Sequence, residues 1–301
     1  MQTYTLRGVI SIKYRLKLKT GLHIGGAKES FEIGGVDNPV IKLPLEVRLK
    51  DRTIPKDAPY VPGSSLKGKV RSLMEWFIRE PKGGEGKTQT SVEYMTEKAK
   101  DNTKKLGAPC DCGTCSICKL FGVSDVKTLK EFIDKGKVDK LPGPPRVEFS
   151  DAYPTPESLE MLKETLGEGV YTEIKYENRI NRLTGTVEQG GLRNQERVPA
   201  GVEFEGEITV DLYSEEDVNL LEKLLTGLRL LENSYLGGSG SRGYGKVEFS
   251  QITLTLRDRN YFEKGSPEKE LFRGALSELD ENKTQEVLKK LKETLKGNGG
   301  S

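Results

Sequence analysis

The sequence predicts an α+β protein, and three observations lead to that prediction. Residues 10–19 and 202–212 alternate apolar and polar side chains, which is the pattern of a half-buried β-strand. Residues 218–231 carry leucines at helical spacing. A glycine-dense connection, residues 235–246, then joins that helix to another alternating strand at 247–256. Strands and helices therefore follow one another along the chain, which is typical of a mixed fold.

Composition limits the classes of function. Of the 301 residues, 34% are hydrophobic and 31% are charged, and the net charge is only +2. Such a small net charge does not indicate a nucleic-acid binder, so any RNA site must come from local clusters of basic residues. No apolar run approaches the roughly 20 residues that cross a bilayer, and the N-terminus lacks the apolar core of a signal peptide. We expect a cytoplasmic protein without a membrane partner.

The first strand separates apolar from basic side chains. Its apolar face contains Ile10, Ile12, Tyr14, Leu16 and Leu18, and its other face contains Ser11, Lys13, Arg15, Lys17 and Lys19. A basic strand face is either solvated or in contact with RNA, and the pattern favours neither.

Two polar residues follow in glycine-containing turns. His23 is the only histidine, which excludes catalysis by a pair of histidines. We interpret it as the partner in a structural hydrogen bond at a turn, with a contact to RNA as the alternative. Asp37 follows two glycines and precedes Asn-Pro, so it lies on a predicted exposed loop, either as a turn residue or as a functional carboxylate.

The next predicted helix begins near Pro62, with Ser64 or Ser65 as its cap. Its apolar stripe contains Leu66, Val70, Leu73 and Phe77. Its first turns also contain three basic residues, Lys67, Lys69 and Arg71, where the helix dipole disfavours positive charge. An anion bound at the free N–H groups would relieve that repulsion, so the helix start is a candidate phosphate site. The alternative is a plain capped helix with a lysine-rich outer face.

Residues 81–140 form a predicted insertion, a lid, that holds all four cysteines. Residues 81–109 are polar and lack periodicity, which predicts flexibility. The cysteines follow with C-x-C-x₂-C-x₂-C spacing, as Cys110, Cys112, Cys115 and Cys118. In a cytosolic protein such a cluster indicates a metal more often than disulfides. Four thiolates suit a structural zinc ion, and an iron–sulfur cluster or a labile disulfide is the alternative.

A short helix at 126–133, a strand at 146–152 and a short helix at 156–165 are predicted next. Residues 171–200 then form a basic excursion with few apolar anchors, which contains Lys175, Arg179, Arg182, Arg193 and Arg197. This composition predicts a β-hairpin that projects from the body, here called the thumb (residues 171–200). The thumb is either a solvated ribbon or a contact to RNA, and its arginines and amides favour RNA.

Residues 235–246, here called the glycine loop, are a second candidate phosphate site. Glycines let the backbone approach a ligand closely and turn N–H groups toward it. The RNA-binding candidates in this loop are Gly237, Gly238, Ser239, Gly240, Ser241, Arg242, Gly243 and Lys246. The loop lacks the pattern of a Walker motif, and the alternative is a mobile linker.

Without the insertions, the order is strand, helix, strand, strand, helix, strand. That order predicts a ferredoxin-like or RNA-recognition-motif core over residues 1–256, followed by a helical C-terminal extension at 257–301. The last core strand changes its alternation near Ser250. Because the aromatic RNA-binding signature of such sheets is absent, loops and helix starts would have to contact the RNA.

Five motifs occur in the order expected of a known family: TGLHIGG (20–26), IGGVDNPVI (33–41), VPGSSLKGK (61–69), YTEIKYENRINR (171–182) and YLGGSGSRGYGK (235–246). With them the chain resembles the backbone ribonuclease subunits of type III-A CRISPR Csm effector complexes, in the RAMP superfamily. The resemblance spans roughly residues 8–256. The cysteine-rich insertion is not general to that family.

The resemblance implies that copies of the chain stack in a filament along a CRISPR guide RNA, with other Csm-type subunits. The thumb, with Arg179 and Arg182, would push into the guide–target duplex and kink it. Guide phosphates would be held by the glycine loop and by Ser64, Ser65, Lys67, Lys69 and Arg71. Asp37 would cut the paired target RNA at each kink with Mg²⁺ or Mn²⁺ present, through attack by the target's own 2′-OH.

Three alternatives remain open. The chain could be a non-catalytic RNA scaffold of the same superfamily, with Asp37 as a turn residue only. It could also be the equivalent backbone subunit of a type III-B Cmr complex. The cysteines alone suggest a metal-regulated DNA-binding protein, which competition between duplex DNA and single-stranded RNA would test.

Overall fold

The computed structural model describes residues 4–26, 38–82, 87–100, 107–137, 141–188 and 190–297. An antiparallel sheet and several helices make up its body, which confirms the predicted mixed α/β class. Asp37, the predicted catalytic residue, lies outside the described residues.

The regular elements follow the predicted order, with additions between the first strand and the first helix, in the lid and in the tail. The strands are β1 (Gly8–Leu18), β2 (Val47–Arg48), β3 (Thr53–Ile54), β4 (Glu80–Pro81), β5 (Thr88–Gln89), β6 (Val147–Phe149), β7 (Tyr153–Pro154), β8 (Glu173–Glu177), β9 (Arg193–Arg197), β10 (Glu203–Leu212), β11 (Val247–Asp258) and β12 (Lys269–Gly274). The helices are α1 (Gly63–Phe77), α2 (Ser91–Lys100), α3 (Ser116–Phe121), α4 (Val126–Asp134), α5 (Pro156–Leu166), α6 (Val218–Glu232), α7 (Arg259–Lys264) and α8 (Glu281–Gly297).

The main sheet has the strand order β12-β11-β1-β10-β6, and its neighbouring strands are antiparallel. β7 pairs with the start of β10, at Phe204 and Glu205. The central strand, β1, buries the whole predicted apolar face. Arg15 pairs with Gln251 but Leu16 pairs with Phe249, so Ser250 forms a bulge in β11 and confirms the predicted slip.

Two helices, α1 and α6, pack together and share one core with the sheet. They approach most closely at Gly227, where an added Cβ would lie 2.6 Å from the sulfur of Met74. Any larger side chain at this position would push the helices apart, because no real Cβ tolerates such a contact. The leucine pattern of α6 is buried as predicted.

Two predictions for α1 are wrong. The helix starts after Pro62 and neither Ser64 nor Ser65 caps it, because the carboxylate of Asp151 accepts the N–H of Gly63 at 2.8 Å. The buried stripe continues to Met74, so that Phe77 is 60% exposed. The buried stripe thus contains Leu66, Val70 and Met74, which are four residues apart.

The predicted flexible stretch in the lid contains regular structure in its described part. Helix α2 begins with a capping box, in which Glu93 N–H donates to the Thr90 hydroxyl and Thr90 N–H donates to the Glu93 carboxylate. Tyr94 and Met95 on the same helix are buried. The T-x-x-E pattern was the available signal for this helix, and the sequence analysis missed it.

The tail contains more than helices. As predicted, α8 buries Val287, Leu288, Leu291 and Leu295. Before it, β12 adds a strand to the sheet beside β11, which the sequence analysis did not predict. Among the described helices, α8 included, none combines the length and the hydropathy that crossing a bilayer would require.

The basic face of β1 is largely neutralised within the fold. Arg15 donates to Glu205 on β10 at 2.8 Å, and Lys13 lies 3.6 Å from Glu268. These pairs favour the solvated alternative for this face over a contact with RNA.

Candidate functional site

The glycine loop lies against the segment that follows β1. The N–H of Gly238 donates to the carbonyl of His23 at 2.8 Å, and the N–H of Gly245 donates to the carbonyl of Gly21 at 2.9 Å. The loop is therefore held by backbone hydrogen bonds along its length, which does not fit the mobile-linker alternative.

Two further segments complete this region. Leu22 and Val198, at the end of β9, exchange backbone hydrogen bonds of 2.9 and 2.8 Å. Gly25 forms a β-bridge with Val40. We call the meeting of residues 21–26, 38–42, 194–198 and 236–245 the loop junction. It joins the base of the thumb to the glycine loop and to both ends of the segment that contains Asp37.

The glycines of the loop are required by close approach of the chain to itself. Gly245 has φ +71°, and a Cβ there would lie 2.0 Å from the carbonyl oxygen of Leu236. Gly237 has φ +74°, and its Cβ would lie 2.3 Å from the carbonyl oxygen of His23. A side chain at either position would be strained and would clash with backbone. The glycines of this loop were expected to allow close approach of a ligand. At Gly237 and Gly245 the close neighbour is instead the backbone of the protein itself.

His23 makes the structural hydrogen bond that the sequence analysis favoured. Its Nδ1 lies 2.7 Å from the carbonyl oxygen of Glu196 on β9, and the ring is buried. Because a carbonyl oxygen can only accept, Nδ1 carries the proton. A contact between His23 and RNA stays a prediction.

Arg242, the arginine of the glycine loop, is engaged with the thumb. Its guanidinium lies 3.1 Å from the carboxylate of Glu177 on β8 and donates to the Ser239 hydroxyl at 2.6 Å. Ser239 also accepts from the side-chain amide of Gln195 at 3.0 Å. The Arg242 side chain is still 48% exposed, so its outer edge can meet a phosphate while its inner edge holds the thumb.

Tyr244 fills the space between the glycine loop and the thumb. Its hydroxyl donates to Glu177 at 3.0 Å, and the cationic ends of Lys175 and Arg197 lie 4.6 and 5.3 Å from its ring centre. Burial, with the help of the Glu177 carboxylate, raises the pKa of Tyr244 to about 12. The phenol is therefore a neutral donor at physiological pH, and it fixes the base of the thumb on the loop.

The two predicted phosphate sites are adjacent. The ammonium of Lys69 on α1 lies 3.8 Å from the ring centre of Tyr235, the first residue of the glycine loop. Partial burial lowers the pKa of Lys69. Lys67 is half-buried, whereas Ser64 and Lys246 are exposed. The start of α1 and the glycine loop are thus in contact through Lys69 and Tyr235.

Two findings change the interpretation of the α1 start. The Asp151 carboxylate that accepts the N–H of Gly63 already supplies an anion at the helix N-terminus. Arg71 donates to Glu75 at 3.0 Å and to the Cys110 carbonyl at 3.2 Å, so its guanidinium joins the helix to the cysteine cluster. A free N-terminus with three available cations, as the sequence suggested, is not what the fold presents.

The predicted hairpin of the thumb is present, with β8 paired to β9. Arg179 forms a 3.0 Å ion pair with Glu188, and Arg182 is exposed near the tip. Leu183 beside it is 97% exposed. An apolar side chain held so far from the core is available to contact a partner.

The four cysteines converge as their spacing predicts. The side chains of Cys110, Cys112, Cys115 and Cys118 are buried, and their sulfur atoms all lie within 4.8 Å of one another. The Cys110–Cys115 and Cys112–Cys118 sulfur distances are both 3.9 Å. Tetrahedral coordination at about 2.3 Å requires sulfur separations of about 3.8 Å. The arrangement therefore fits one metal ion.

Lys82 is a buried cation beside this cluster. It is 1% exposed, and its ammonium has no hydrogen-bond partner within the described residues. Burial alone would lower the pKa of Lys82, but the sulfur atoms of Cys115, Cys110 and Cys112 outweigh it and raise that pKa. A positive charge at this place offsets the negative charge of four thiolates. No sequence motif marked Lys82.

Comparisons with known proteins agree on the family. The sequence model of the RAMP superfamily matches residues 15–248. A curated relative from Methanocaldococcus jannaschii, the CRISPR system Cms endoribonuclease Csm3, is 41% identical over 286 residues, which are 93% of this chain and 96% of the relative. The protein of the same name from Streptococcus thermophilus is 33% identical over 256 residues, 84% of this chain and 92% of the relative.

Solved structures give the same result. The crystal structure of the Csm3–Csm4 subcomplex in the type III-A CRISPR-Cas interference complex has a TM-score of 0.50 and 28% identity to this chain. The alignment covers 93% of this chain and 97% of the other. The crystal structure of Methanopyrus kandleri Csm3 has the same TM-score at 24% identity, over 97% and 98% of the two chains, and supports the fold alone.

Proposed function

This chain belongs to the RAMP superfamily, and we propose that it is the backbone endoribonuclease of a type III-A CRISPR effector complex. It binds guide RNA and cleaves target RNA that is paired with the guide. Its curated relatives, which match most of the chain, are named endoribonucleases. The first solved structure described above comes from a type III-A complex and is likewise matched over nearly its full length.

The loop junction is the structural observation that carries the proposal. It places the glycine loop beside the start of α1 and beside residues on both sides of the segment that contains Asp37. Gly26 N–H donates to the Pro39 carbonyl at 3.0 Å, so that segment leaves and re-enters the fold at one place. An RNA strand held on the glycine loop therefore passes close to the attachment of Asp37.

Guide phosphates are bound by one surface of α1 and the glycine loop. Its residues are Ser64, Ser65, Lys67, Lys69, Gly237, Gly238, Ser239, Gly240, Ser241, Arg242, Gly243 and Lys246. The ammonium groups of Lys67, Lys69 and Lys246 and the exposed edge of Arg242 suit contacts with the RNA backbone that do not read sequence. We leave Arg71 and His23 out of this set, because both are engaged within the protein.

Asp37 promotes attack by the 2′-oxygen of the target on the adjacent phosphorus. The 2′-OH loses its proton, a bond forms from the 2′-oxygen to phosphorus, and the bond to the 5′-oxygen breaks as that oxygen gains a proton. Asp37 orients the hydroxyl or accepts its proton, or would act through a water held by the metal. A bound Mg²⁺ or Mn²⁺ would stabilise the negative charge on the phosphate. A lone carboxylate cannot build a two-metal site, so in-line alignment provides most of the rate.

The thumb produces that alignment. It pushes into the guide–target duplex and displaces a target nucleotide, with Arg179, Arg182 and the exposed Leu183 near its tip. Further copies of the chain repeat the arrangement along the guide in a cytoplasmic filament with other Csm-type subunits. The core is ferredoxin-like: the order β11-β1-β10-β6, with α1 and α6 in the two crossovers, supports that assignment.

The cysteine cluster holds a structural zinc ion. The metal supplies no chemistry to cleavage and replaces the hydrophobic core that so small an insertion cannot form. The four sulfurs are its ligands, and Arg71 links the cluster to α1 through the Cys110 carbonyl. Lys82 reduces the net negative charge of the site.

Asp37→Ala tests the proposal directly. In an effector complex assembled with this variant, we expect guide retention and target binding to persist while cleavage slows by about 10²- to 10⁴-fold, the range for loss of a catalytic proton-transfer group. Single-turnover cleavage of a labelled matching target measures the rate, and sequencing of co-purified RNA identifies the guide. Unchanged cutting would refute the catalytic role and leave a non-catalytic RNA scaffold.

A further inference from the structure

Glu196 on β9 is a buried carboxylate shared by separate segments of the chain. It is 5% exposed. One carboxylate oxygen accepts the backbone N–H of Val40 at 2.8 Å. The other accepts the ammonium of Lys42 and the hydroxyl of Thr172, both at 2.5 Å. Val40 and Lys42 lie just after Asp37 in the chain, whereas Thr172 lies on the opposite leg of the thumb.

The backbone of Glu196 points to the same place. Its N–H donates to the carbonyl of Asn38 at 3.3 Å, and its carbonyl oxygen accepts the Nδ1–H of His23. Side chain and main chain of this one residue thus join residues 38–42, the segment after β1 and the two legs of the thumb.

The charge of Glu196 is maintained despite burial. Burial raises the pKa of the carboxyl, but the contacts with Lys42, Thr172 and Val40 outweigh it and lower that pKa. An ionised carboxylate in such surroundings is stable only while those donors stay in place. Loss of its charge would therefore weaken the side-chain contacts that hold Val40 and Lys42 on β9, while the backbone hydrogen bond to Asn38 would remain.

We propose that Glu196 is a positioning residue for the cleavage reaction: it sets the chain that follows Asp37 at a fixed distance from the base of the thumb. The inference rests on the proposed function. The thumb displaces the target nucleotide and Asp37 acts on it, so the two must be held in register. A displacement of about 1 Å in such an arrangement slows a reaction by about 10²-fold.

Glu196→Gln is the main test. The amide has the size of the carboxylate, but its NH₂ group cannot accept a hydrogen bond. One of the three donors, the Val40 N–H, the Lys42 ammonium or the Thr172 hydroxyl, therefore loses its acceptor, which loosens the contact with residues 38–42. In an assembled effector complex we expect single-turnover cleavage of bound target to slow by about 10- to 100-fold. We expect guide retention and target affinity to change by less than about twofold, because no phosphate contact is removed.

Glu232→Gln provides the matched control. Glu232 is also partly buried and accepts a backbone N–H, that of Phe249 at 2.7 Å, but it lies outside the loop junction. Burial raises the pKa of the Glu232 carboxyl, so loss of its charge should cost less stability than loss of the Glu196 charge. We expect Glu232→Gln to leave the cleavage rate unchanged, because its carboxylate accepts from Phe249 and not from residues 38–42. Lys42→Met combined with Glu196→Gln should slow cleavage by less than the product of the two single effects, since both act through one contact.

The outcomes separate the two proposals. Asp37→Ala that still cuts contradicts the nuclease assignment, whatever Glu196→Gln does. Inactive Asp37→Ala with fully active Glu196→Gln contradicts the positioning role alone. If cleavage, RNA affinity and melting temperature all fell together in Glu196→Gln, the role of Glu196 would be structural only. That outcome would also overturn the positioning role.

Discussion

The cysteine cluster and the loop junction are both buried polar sites, but they are built in opposite ways. The cluster takes four sulfur atoms from nine consecutive residues and points them at one centre. The loop junction takes its groups from four distant segments and pairs them with one another, as Glu196 with Lys42 and Gln195 with Ser239.

This difference separates two kinds of site. Four thiolates would repel one another unless a cation joined them, so the cluster is suited to a metal ion taken up from outside. Glu196 and Lys42 of the junction are already paired with each other, so that region needs no added ion, and its outer surface is the one that we propose for RNA. We therefore expect perturbation of the cluster to affect stability, and perturbation of the junction to affect geometry.

Removal of the metal should have the largest effect on stability. Structural zinc in small domains contributes about 10–16 kcal/mol of apparent binding free energy, so Cys112→Ser or a strong chelator should unfold the lid and lower the melting temperature by many degrees. Mass spectrometry of metals and limited proteolysis measure occupancy and unfolding. A chelator should not lower the melting temperature of Cys112→Ser any further. If the melting temperature were unchanged in Cys112→Ser, or in the original protein treated with chelator, the zinc site would be contradicted.

Gly245→Ala should have the next largest effect, within the junction. Its Cβ would clash with the Leu236 carbonyl, and the expected loss is about 4 kcal/mol or more of the free energy of unfolding. Gly243→Ala is the matched control, because Gly243 has φ +85° and nothing within 4 Å of its added Cβ. That variant should lose only about 1–2 kcal/mol from backbone strain. Equal losses in urea denaturation would show that crowding is unimportant here.

Of the three changes, Lys82→Met should have the smallest effect. It tests whether the positive charge of Lys82 contributes to metal binding by the cysteine cluster. Mutation of a residue that contacts metal ligands typically lowers metal affinity by about 10- to 100-fold. We expect Lys82→Met to lower zinc affinity within that range. Competition with a chelator of known affinity measures it. Lys119→Met, a change of the same type beside Cys118 but at a more exposed site, should change affinity by less than about twofold. Equal effects would argue against a specific role for Lys82.

Local patterns predicted much of this protein correctly. Alternation identified β1 and β10, and its interruption located the bulge at Ser250. Cysteine spacing predicted that the four sulfur atoms converge, since residues a few positions apart can meet with little long-range structure. The capping box at Thr90 shows that a further helix was also within reach of the sequence.

Partners across the chain could not be predicted in this way. Arg71, Arg242 and Arg179 were expected to be available to RNA, yet each meets a glutamate in the fold. The glutamates of Arg71 and Arg179 are four and nine residues away, but nothing local marked Glu177 as the partner of Arg242. Asp151 took the place at the α1 N-terminus that the sequence left to a serine or a phosphate.

The sequence by itself determined the element order, the family motifs and the four-cysteine cluster, because periodicity and short spacing act within a few residues. Only the tertiary structure decided which cations remain exposed, why Gly237 and Gly245 must be glycine, and that Glu196 joins the thumb to the chain after Asp37. The physical reason is that the energy of a charge or a Cβ depends on the atoms that the fold brings within a few ångströms of it. Those neighbours can lie more than 200 residues away along the chain, as Gly21 does from Gly245.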